Sequence, residues 1–155
     1  MTNYETQIEK ATQTGLKVVE KTLKSNAKGL CKGNIIALNT EKLRTGAEKA
    51  CVLSEEMGHA YTTVGNITDQ TVVGNRKQER RARVWAYNDK VGLTGLIRAY
   101  EQGCHTRLEA AEYLDVTEAF LEDAVYYYRE KYGKYVQLDN YFIQFVPCLG
   151  VAKMF

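Results

Sequence analysis

Leu53-Ser54-Glu55-Glu56-Met57-Gly58-His59-Ala60-Tyr61 is the stretch on which the reading of the fold turns. Ala47, Ala50, Cys51, Ser54 and Gly58 recur at helical spacing and make one small-residue face, suited to close packing. Thr45 stands where an N-cap belongs, with Glu48 three residues on as its capping-box partner. A helix is therefore expected to run to about Thr62. On that helix Glu55 and His59 lie one turn apart on one face, and Glu56 borders the same patch. Glu55-Glu56-Met57-Gly58-His59 is one substitution from H-E-x-x-H. In that motif two histidines at i and i+4 hold a metal and the glutamate acts on a water. Glu55 stands where the first histidine would be.

Upstream, Ile8, Ala11, Leu16, Val19 and Leu23 predict an amphipathic helix over Tyr4 to Leu23, weakened by Gly15. Ser25 to Gly29 breaks the pattern. Leu30 to Asn39 reads as a β-hairpin, with turn chemistry at Lys32-Gly33-Asn34 and an apolar strand at Ile35 to Leu38. Downstream, a loop containing Gly65-Asn66 and Gly74-Asn75 is expected before a helix over Gln78 to Asn88, whose inner side carries Ala82, Trp85 and Ala86.

The C-terminal part reads as helices over Leu93 to Gln102, Arg107 to Leu114 and Thr117 to Lys131, the last capped by Thr117. Leu108, Ala110, Ala111, Leu114, Val116, Phe120, Leu121 and Ala124 have the spacing of a helix-turn-helix. A hairpin over Tyr135 to Phe145 turns at Asp139-Asn140, and Pro147 closes it. The class expected is α+β, with a lobe over 1–90 and a helix-turn-helix-like segment with a C-terminal hairpin over 91–155, packed on the first lobe.

The chain has 155 residues, 45% hydrophobic and 26% charged, which is the composition of a globular protein. Its longest apolar runs fall short of the roughly 18 residues of a membrane span, and its first residues lack an apolar signal core, so a cytoplasmic protein without membrane contact is expected. A net charge of +2 does not demand a nucleic-acid partner. Arg76, Lys77, Arg80, Arg81 and Arg83 do crowd one short stretch, either a solvated helix face or a site for an acidic or nucleic-acid partner. Cys31, Cys51, Cys104 and Cys148 contain no C-x-x-C pair and read as free thiols.

A hydrolytic zinc needs three protein ligands and an open position. Glu55 and His59 supply two, and Glu79, on the following helix, is the best third; Asp69, in the loop, is a weaker rival. Two carboxylates with one histidine would neutralise a divalent ion, making it a weaker Lewis acid and a site more tolerant of manganese or iron. Tyr61 and Tyr87 are candidates for stabilising an oxyanion, and His105 is a poor ligand candidate.

The runs Gly29 to Asn34, Leu53 to Thr63 and Arg76 to Ala86 together resemble the ImmA/IrrE-type metallopeptidases. The likeness extends over most of the chain, and E-E-x-G-H resembles a phage or mobile-element branch of that family. It implies a zincin-like metallopeptidase lobe, His59 and Glu79 as metal ligands, and Glu56 as general base. It also implies an anti-repressor activity: metal-dependent cleavage or inactivation of a DNA-binding repressor, itself a helix-turn-helix protein. In peptidases of this type a strand such as Ile35-Ile36-Ala37-Leu38 lines the cleft, and an extended substrate adds to its edge. The alternative is a non-catalytic module of the same fold that neutralises a repressor by docking. The first turn of the candidate recognition helix, Thr117 to Asp123, is acidic, which argues against DNA contact there. Tyr126, Tyr127, Tyr128, Tyr132 and Tyr135 divide between core and partner-anchoring roles.

Overall fold

The computed structural model describes residues 2–62 and 72–155 and divides into two compact units, Met1–Ala86 and Tyr87–Phe155. In unit 1, helix α1 (Asn3–Gln13) begins at a capping box: the Thr2 hydroxyl accepts from the Glu5 amide while the Glu5 carboxylate accepts from the Thr2 amide. The helix stops far short of Leu23. Thr14 caps its end, Gly15 takes a left-handed φ of 88°, and Lys17–Lys21 becomes strand β1. Two adjacent β-branched residues, Val18 and Val19, and parallel pairing with a later strand outweigh the helical spacing that joined Leu16 to Leu23.

The expected hairpin forms from β2 (Gly29–Lys32) and β3 (Ile35–Asn39), with Gly33 at positive φ in the turn. Strand order is β1-β3-β2, parallel on one side of β3 and antiparallel on the other. Ile36 and Leu38 face Ala11, Leu16, Leu53 and Met57 in the core that joins sheet to helices. Helix α2 (Gly46–Thr62) starts where Thr45 caps it, accepting from the Glu48 amide at 3.1 Å. Helix α3 (Val72–Lys90) starts earlier than the sequence reading had it, so Gly74-Asn75 falls within a helix. Gly65-Asn66 lies outside the described residues.

Unit 2 carries α4 (Gly92–Glu101), α5 (Arg107–Leu114) and α6 (Glu118–Tyr132). Asp115, left-handed at φ 56°, ends α5, and Thr117 caps α6 by accepting from the Phe120 amide. Tyr128 is the centre of this core: its hydroxyl accepts from the Gly92 amide at 3.0 Å and lies 3.1 Å from the Tyr87 carbonyl and 3.0 Å from Asn88 Oδ1, its two acceptors. The C-terminal hairpin, β4 (Tyr135–Leu138) and β5 (Tyr141–Gln144), gains a third strand, β6 (Gly150–Lys153), antiparallel to β5. Gly150-Val151-Ala152-Lys153 is too short and too mixed in polarity to announce itself, and register with β5 decides it. No helix among the described residues is long and apolar enough to cross a membrane.

Candidate active site

Met57 and Leu53 turn one side of α2 into the core, so Glu55, Glu56 and His59 border the half-buried side. Two glycines let other elements close on this helix. A Cβ on Gly29 of β2 would lie 2.8 Å from Val52 Cγ1 and 3.2 Å from Glu56 Cγ. A Cβ on Gly58 would fall inside the van der Waals envelope of the Ala82 carbonyl, with Ala82 Cα at 3.0 Å. Helix α3 thus crosses α2 backbone to backbone at Gly58 and Ala82, because neither residue has bulk to hold the helices apart.

That crossing lies one residue from His59 and three from Glu79, and it brings their side chains together. His59 Nε2 and Glu79 Oε2 are 3.3 Å apart, the imidazole 20% and the carboxylate 56% exposed. Glu56 is more enclosed. Burial, then the charges of Glu55 and Glu79, push its carboxyl up from the usual carboxylate range to about 7. Near neutrality this group takes or gives a proton readily, as a general base must. Cys31, on the side of β2 that turns toward α2, borders the same group: burial, then the Glu56 charge, push its thiol up. The sequence reading passed over Cys31. Strand alternation puts Cys31 on the same side as Gly29, and that Gly29 lies against α2 is seen only in the structure.

Glu55 is half-buried on the same helix, and its charge reaches Glu56. Among the described residues no group of three His, Cys, Asp or Glu side chains is placed to hold a metal ion. Asp69 lies outside the described residues. As a donor set, an imidazole and a carboxylate face to face beside two further carboxylates suit a divalent cation in kind. Such an ion would also relieve the crowding of negative charge that raises Glu56.

The expected substrate strand changes place. Ile35, Ile36, Ala37 and Leu38 form the central strand β3, whose hydrogen-bonding edges are taken by β1 and β2. Nothing can add to it, because the segment read as helix fills the edge assumed open. Strand β2, whose Gly29 lies against Glu56, has one edge on β3, and no described strand pairs with the other.

Tyr61 shares a hydrogen bond with Thr14 and sets its ring 5.0 Å from Trp85. Tyr87 is a core residue of unit 2, packed on Phe120 and Tyr127. His105 lines a cavity of about 230 Å³ within unit 2, beside Cys104 and Arg107.

No protein-family model matches the chain, and neither the curated proteins nor the solved structures contain a match to it.

Proposed function

We propose that the chain is a metal-dependent endopeptidase that cuts a DNA-binding repressor, as its resemblance to the ImmA/IrrE-type metallopeptidases implies. The observation that supports it is the meeting of His59 and Glu79 at 3.3 Å across the α2–α3 crossing, with Glu56 enclosed beside them. His59 and Glu79, joined by Glu55, would hold the ion, zinc by preference with manganese or iron tolerated. When bound, the metal supplies a polarised water and a Lewis acid for the peptide carbonyl. Glu56 takes the proton of the attacking water on a carboxylate oxygen and returns it to the departing amide nitrogen. The edge of β2 that no described strand pairs with, rather than β3, offers backbone groups to hold an extended peptide beside Glu56.

A second reading is a non-catalytic module that neutralises a repressor by docking. It is favoured by the His59–Glu79 contact, which an ordinary histidine–glutamate pair would also explain, no third ligand-type side chain joining them among the described residues. Metal analysis of protein purified without chelator separates the two, with about one ion per chain expected. A Glu56→Gln variant should keep that ion and lose cleavage of the repressor. Metal-free protein, or a native chain that neutralises the repressor without cutting it, would leave the docking module; a Glu56→Gln variant that still cuts would remove Glu56 as the general base.

A further inference from the structure

The stretch from Arg76 to Arg83 holds Arg76, Lys77, Arg80, Arg81 and Arg83, all exposed on α3. Among the described residues no ion pair, hydrogen bond or ring contact engages these five side chains. They are not spread evenly round the helix. At about 100° per residue, Arg83, Arg76 and Arg80 lie roughly 40°, 60° and 100° from Glu79, all to one side. Buried Ala82 and Ala86 lie to the other. Lys77 and Arg81 fall on the far flank. Whatever approaches the His59–Glu79 pair from that side therefore meets three guanidinium groups, each able to grip a carboxylate through two parallel hydrogen bonds.

The neighbouring charges decide which polyanion fits. A nucleic-acid duplex carries a phosphate charge about every 1.7 Å along its axis, and laid along these arginines it would set phosphates against the exposed Glu79 carboxylate, about 40° round the helix from Arg83. A peptide can place acidic side chains against the arginines and keep neutral backbone at the carboxylates. The geometry points to a substrate segment with acidic side chains next to the bond that is cut, held by Arg76, Arg80 and Arg83. This inference rests on the peptidase reading and names the substrate class.

Binding tests it apart from cleavage. Full-length Glu56→Gln protein is titrated, at physiological salt, into a fluorescein-labelled peptide of about twelve residues alternating Glu and Ala. Its Gln counterpart and a labelled DNA duplex are titrated in parallel. The Glu peptide should bind at least about tenfold tighter than the Gln peptide. Arg76→Glu and Arg83→Glu should each weaken it about fivefold or more, while Lys77→Glu and Arg81→Glu stay within about twofold. Equal losses from all four variants would reduce the patch to diffuse attraction and overturn the proposal. So would tighter binding of the DNA duplex, or equal binding of the two peptides. A chain that binds the Glu peptide in this way yet never cuts would defeat the peptidase reading and leave the acidic specificity standing.

Discussion

At the scale of single residues, Glu56 carries the most information. A carboxyl raised from 4.5 to about 7 is a group whose ionised form the fold disfavours. In metal-free protein the folded pKa lies above the unfolded one. The stability Glu56 leaves in place is therefore full below pH 4.5 and is lost as pH rises through about 7. The loss should amount to about 3 kcal/mol. Urea denaturation in the presence of chelator should show this fall for the native chain, and Glu56→Gln should flatten it. Parallel curves for the two proteins would remove Glu56 from its enclosed position. The motif residues themselves were legible from sequence because i, i+4 spacing on a helix is a fixed geometry. Cys31 was not, since its nearness to Glu56 comes from a strand lying on that helix.

At the scale of elements, Gly58 sets how near α2 and α3 come. Gly58→Ala gains helix propensity, but its methyl group overlaps the backbone of Ala82. The overlap should dominate, costing about 2 kcal/mol in urea denaturation with helix content preserved. A variant as stable as the native chain would mean that the helices part without cost and that the crossing does not hold His59 to Glu79. Helix α2, its Thr45 cap, the β2–β3 hairpin and the three helices of unit 2 were readable because local chemistry fixes them: a cap oxygen, a glycine turn, an apolar face. Strand β1 was not. Its two valines fit either period, and the partner that settles the matter lies eighteen residues downstream on β3. The error spread, because mistaking β1 for helix left β3 with an imaginary free edge.

At the scale of the whole molecule, charge is unevenly shared. Residues 1–86 hold fourteen lysines and arginines against nine aspartates and glutamates; residues 87–155 hold seven against ten. Helices α5 and α6 are thus in the acidic unit, with Glu118, Glu122 and Asp123 exposed at the start of α6. The single tryptophan, Trp85, belongs to unit 1, packed against Tyr61 with the Lys10 ammonium over its ring, so its fluorescence reports on that unit. Zinc at about a hundred times its dissociation constant should raise the stability read from Trp85 by about 2.7 kcal/mol. An unmoved transition would count against a metal site in unit 1. The strand order β1-β3-β2 also sets a sequence of events as the chain folds. The β2–β3 hairpin closes through a two-residue turn and can zip within microseconds. The first strand must wait for that template and then dock alongside it in parallel, across a longer loop whose closure costs more entropy. The strand that comes first in sequence is then the last to find its place in the sheet, and until it arrives β3 presents an open edge to any other extended chain nearby.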